Sequence, residues 1–99
     1  MPTYDVLPAF WTGFDRLTPA QQARFRRAIT RFAIELLEIE RGDRMYPSPG
    51  LIKKLQGHPD LWEFRWAHNG RATFAWDTAV RPDKHHIVWH QIGTHGILP

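Results

Sequence analysis

Cysteine is absent from the 99 residues, which excludes both a disulfide framework and a thiolate zinc site. A metal would have to be held by histidine and carboxylate alone. The chain has no HExxH, and few carboxylates stand near its histidines, so no metal and no cofactor are expected. No apolar run approaches the roughly 20 residues that a membrane-spanning helix needs. The opening MPTYDVLPAF lacks the charged n-region and small-residue cleavage site of a signal peptide. The expectation is a soluble cytoplasmic protein with no membrane contact. Repeats and low-complexity tracts are missing too, and the length suits one compact domain over residues 1–99.

What is present is an excess of positive charge. Thirteen Lys and Arg face ten Asp and Glu, for a net charge of +3 and a pI near 9.8. That balance makes a polyanionic partner worth considering, provided the cations gather on one face.

At Thr18 the sequence TPAQ combines a hydroxyl N-cap, a proline at the first helical position and Gln21 placed to reach back, the pattern of a capping box. The helix that starts there carries Phe25, Ile29, Phe32 and Leu36 at helical spacing, widened by Ala28 and Ile39. Arg24, Arg27, Arg31, Glu35 and Glu38 fall mostly off that stripe. Gly42 ends the helix near Arg41. Before it, Phe10, Phe14 and Leu17 in PAFWTGFDRL predict a short first helix, and Thr3 to Val6 an edge strand. Asp43 to Gly50 is loop. Three segments rich in aromatic and β-branched residues follow, LWEFRW, RATFAW and HHIVWHQI, and read as strands. The fold class is therefore α+β, one or two N-terminal helices packed on a small twisted antiparallel sheet.

Strand alternation sorts the side chains. A three-residue loop of His68, Asn69 and Gly70, with Gly70 left-handed, pairs Ala67 with Arg71. Trp62, Phe64 and Trp66 then share the core face with Ala72, Phe74 and Trp76, whereas a one-residue slip would bury arginine among tryptophans. The opposite face displays Glu63, Arg65, Arg71 and Thr73. Ile87 and Trp89 belong with the core, so His86, Val88 and His90 point the other way, and His95 follows just past the strand. His85 and His86 are expected at the surface near a loop end. A solvated face of this kind also arises from cross-strand pairing alone, so its composition does not by itself assign chemistry.

The segments KLQGHPDLWEFRW and GRATFAW, an alternating last strand and the ending QIGTHGIL together resemble the RelE/ParE superfamily of bacterial type II toxins. The likeness runs from FDRLTPAQQARFRRAI to the C-terminus, and GTH at Gly93 to His95 is similar to the ending of YafQ-type toxins. In that family helices pack on an antiparallel sheet whose open face meets the substrate. Its ribonuclease members cut mRNA, usually on the ribosome, and a cognate antitoxin protein neutralises each one. The resemblance implies a metal-independent mRNA endoribonuclease that inhibits translation, with the histidine at position 95 catalytic.

Such a reaction needs a base for the 2′-hydroxyl, cations for the equatorial phosphate oxygens and an acid for the departing 5′-oxygen. Imidazole can serve as base or acid near neutral pH, which selects His95 and His90, with Glu63 an alternative base. Arg65 and Arg71 suit the phosphate through their forked donors. Lys53 and Lys54, just ahead of the sheet, would hold the RNA backbone. Trp11 and Tyr46 are the aromatics not committed to the core that could stack on bases. The chain departs from YafQ-type toxins at Gln91, where they usually carry arginine, and in closing on Ile97, Leu98 and Pro99 without an aromatic. Those departures keep two other readings open: a ParE-like inhibitor of DNA gyrase, and a catalytically silent domain that binds RNA or protein.

Overall fold

The computed structural model describes residues 2–78 and 85–97. Strand β1 (Thr3–Val6) leads into helix α1 (Pro8–Arg16) and the long helix α2 (Pro19–Glu40), followed by β2 (Ile52–Lys54), β3 (Trp62–Ala67), β4 (Gly70–Trp76), β5 (His86–Thr94) and a closing 3-10 turn at His95–Ile97. The sheet order is β1-β5-β4-β3-β2. Helix α2 starts at the expected capping box: Thr18 Oγ1 accepts from Gln21 N at 3.1 Å, and Gln21 Oε1 accepts from Thr18 N at 2.9 Å. Its apolar stripe lies on the sheet, where Phe32 stacks on Phe64 at 5.0 Å between ring centroids. Trp89 sits amid Phe10, Phe25, Phe64 and Phe74.

Four expectations are corrected. The sheet is mixed, because β1 runs parallel to β5 while every other pair is antiparallel; both helices and three strands separate β1 from β5, so no hairpin dictates their direction. Lys53 and Lys54 lie within β2, not ahead of the sheet. Beneath β1, His86 is only 5% exposed, where a surface position was expected. Its Nδ1 shares a hydrogen bond with Thr3 Oγ1 at 2.7 Å and its Nε2 one with Asp5 Oδ2 at 2.9 Å, which fastens the edge strand. Glu35, placed off the core stripe by periodicity, is 2% exposed. It accepts from Ser48 N at 2.6 Å, Ser48 Oγ at 2.7 Å and Arg31 Nε at 3.1 Å, so it anchors the loop that delivers the chain to β2.

The hairpin turn also differs from expectation. Ala67 pairs with Gly70 across a two-residue turn of His68 and Asn69, and Trp66 forms a bulge, so that Arg65 faces Arg71 and Trp62 faces Phe74. Relative to the expected pairing the register moves by two residues, which leaves every side chain on its expected face. Gly70 is not among the positive-φ glycines 42, 50 and 57. A side chain is excluded there for another reason: a Cβ would lie 2.5 Å from Cδ2 of the Trp66 indole. The bulge keeps Trp66 in the core, 5% exposed and edge-on to Phe25.

Candidate functional site

Pairing carries one row of side chains across four strands of the open face. Lys53 is opposite Glu63, Glu63 opposite Thr73, and Thr73 opposite Gln91. Directly opposite residues lie on one face with their Cβ atoms about 4.5–5.5 Å apart, so this row is a polar track, although Thr73, expected on display, is only 3% exposed between the half-buried Glu63 and the exposed Gln91. Two residues further along, Arg65, Arg71 and Gly93 form the next row.

His95 is brought to this track by the end of β5. The 3-10 turn folds back on the β3–β4 turn, with His95 N donating to Asn69 O at 2.9 Å. The exposed imidazole lines a groove of about 480 Å³ together with Lys53, Lys54, Gln56, His58 and Glu63. Three expected residues, His95, Lys53 and Lys54, thus meet in one place, with Glu63 beside them.

The other expected residues stand apart. His90 is the extra residue of a second bulge, since Thr73 pairs with Gln91 and Phe74 with Trp89. It lines a neighbouring groove of about 440 Å³ with Leu7, Ala9, His58, Leu61, Thr73 and Gln91. Arg65 is exposed, as alternation predicts. Arg71 is not: it is 8% exposed, and its Nη1 donates to the carbonyl oxygens of Ala67 and His68 at 3.1 Å each and of Gly70 at 2.9 Å. The guanidinium closes the hairpin turn, and this turns its charge away from Arg65 directly opposite, where two like charges would repel. Arg71 Nε is buried without a partner among the described residues.

His58 was missed by the sequence reading. It follows Gly57, whose φ of 79° requires glycine, and its N–H donates to Leu55 O at 3.2 Å while its carbonyl accepts from Leu61 N at 3.0 Å. This compact turn after β2 sets the imidazole on the track. The signal available was the turn itself: a left-handed glycine just past Lys54, followed by His-Pro-Asp.

Among the described residues no three His, Asp or Glu side chains are grouped so as to hold a metal ion, and no helix is long and apolar enough to cross a membrane. What the groove offers is imidazole, ammonium and carboxylate around a strip of sheet.

Two helices on a five-stranded mixed sheet make an α+β fold that matches solved structures of RelE-like toxins. A mutant toxin from Helicobacter pylori superposes with a TM-score of 0.61 at 13% identity, each chain covered over 100% of its length. The RelBE2 toxin-antitoxin complex from Mycobacterium tuberculosis gives 0.58 at 16% identity, covering 93% of this chain and 95% of the other. A mutant of YafQ from E. coli gives 0.57 at 12% identity, covering 98% and 97%. No family model matches the sequence, and no curated protein is significantly similar to it.

Proposed function

We propose that this protein is the toxin of a type II toxin-antitoxin system, a cytoplasmic, metal-independent endoribonuclease that cuts mRNA, on the ribosome or free, and so inhibits translation. The observation that carries the reading is the meeting of His95 with Lys53, Lys54 and Glu63 in one groove on the open face of a RelE-like sheet. Solved structures of the same fold include toxin-antitoxin complexes, which supports an antitoxin as partner.

In this reading the 2′-oxygen attacks the adjacent phosphorus, the bond to the 5′-oxygen breaks, and two groups exchange the protons. His95 takes one proton-transfer role. His90, His58 and Glu63 are the groups near enough to the track for the other. Lys53 and Lys54 neutralise the phosphate backbone and Arg65 offers its exposed fork to a phosphate further along. Arg71, a proposed catalytic arginine in the sequence reading, serves here by fixing the turn against which the His95 backbone is hydrogen-bonded. An acidic antitoxin segment that covers Lys53, Lys54 and Arg65 would block the track.

The test is cleavage of mRNA by the purified chain with and without ribosomes, beside inhibition of gyrase supercoiling. Cleavage that co-expression with the antitoxin abolishes is expected. Gyrase inhibition without cleavage would move the protein to the ParE-like reading, and neither activity would leave a binding domain.

A further inference from the structure

Resting on the ribonuclease reading, we propose that His58 is the second proton-transfer residue, working opposite His95 across the scissile phosphate. Two observations favour it over His90. First, His95 and His90 line separate grooves, and His58 lines both. A phosphate seated beside His95 with Lys53 and Lys54 is therefore within the same groove as the His58 imidazole, whereas His90 belongs to the adjoining one. Second, the backbone around His58 is tied down on both sides, by the bonds to Leu55 and Leu61 and by the left-handed Gly57, while its side chain stays exposed. A positioned imidazole open to substrate is what acid-base catalysis needs. The same placement makes His58 the point where an RNA strand would pass from the first groove into the second, so that His90 and Gln91 would meet the neighbouring nucleotide.

The step balances without a co-reactant. One imidazole removes the 2′-hydroxyl proton as the 2′-oxygen bonds to phosphorus, and the imidazolium of the other protonates the 5′-oxygen as its bond to phosphorus breaks. The products are a 2′,3′-cyclic phosphate and a 5′-hydroxyl.

The experiment uses the full chain and an RNA it cleaves, with His58→Ala, His58→Gln, His90→Ala and His95→Ala compared on that RNA and on an analogue whose scissile 5′-oxygen is sulfur. A thiolate leaves without protonation, so loss of the acid no longer matters on the analogue. His58→Ala and His58→Gln are expected to lower kcat by about 10² to 10⁴ with KM little changed. Each should also lose one limb of the pH-rate profile. Of His58→Ala and His95→Ala, one should recover on the sulfur analogue and the other should not. His90→Ala should act on KM. Wild-type kcat in the His58 variants, a loss confined to KM, or the same response of both variants to the analogue would overturn the assignment. A wild-type chain that cleaves no RNA, with or without ribosomes, would instead overturn the ribonuclease reading and His58's role with it.

Discussion

Arginine 71 and arginine 65 are opposite each other on one face, yet they do different work. Arg71 donates to three turn carbonyls, whereas Arg65 is exposed to solvent. Arg71→Ala is therefore expected to lower unfolding free energy by about 1–3 kcal/mol, and Arg65→Ala to stay within about 0.5 kcal/mol. Urea denaturation of the two variants separates them, and equal small effects would show that the turn does not depend on the guanidinium. Gly70→Ala tests the same corner from beneath. Its methyl would meet the Trp66 ring, an overpacking worth about 1–3 kcal/mol, read in the same denaturation experiment as a lowered midpoint. Alternation alone placed both arginines on the correct face, because a face depends only on parity. Burial of Arg71 was not legible, since it follows from how tightly the turn bends back, and that is set by the bulge at Trp66.

The long helix and its end show the same division at the scale of elements. Its start is local chemistry, readable in TPAQ, and Thr18→Ala should cost about 1 kcal/mol. The roles of Glu35 and Glu40 are not local. Glu35 reaches Ser48 across 13 positions and Glu40 reaches His85 across 45, so periodicity could place Glu35 only off the stripe and gave Glu40 no role. Burial pushes the Glu35 carboxyl up, but hydrogen bonds from Ser48 and Arg31 outweigh it and hold the group below its usual value. Burial likewise opposes ionisation of Glu40, and bonds from the His85 backbone and ring contribute to lowering it from 4.5 to about 2. Both folded values lie below the unfolded ones, so each group contributes stability that is present above its unfolded value and lost as the carboxylate is protonated; for Glu40 that loss runs from about pH 4.5 down toward about 2. Stability measured across that range should fall more steeply in the wild type than in Glu40→Gln, because the variant has no carboxylate to protonate. Parallel slopes would contradict the assignment. The parallel β1–β5 pairing belongs to this scale as well, since nothing in TYDV names its partner strand.

At the scale of the whole molecule, the sheet joins residues far apart in sequence into one track; strand alternation foretold the face of its Glu63 and Thr73, but not Lys53, whose strand was not foreseen, nor Gln91, which the bulge in β5 brings onto it. Lys53, Lys54 and His95 were named from the sequence and do share a groove. His90 lies in the next groove because a bulge moves it, and His58 was passed over because its turn could not be placed before β2 was known to be a strand. The central claim is that this track cuts RNA through imidazole chemistry. It is tested most directly by incubating mRNA with the wild-type chain and with His95→Ala, with and without ribosomes, adding EDTA to the ribosome-free reactions alone, and mapping the RNA ends. The account predicts wild-type cleavage undiminished by the chelator and a loss of about 10² to 10⁴ in His95→Ala, with the variant folded as judged by its thermal unfolding. Cleavage by His95→Ala at the wild-type rate, or wild-type cleavage abolished by EDTA and restored by a divalent metal, would contradict it.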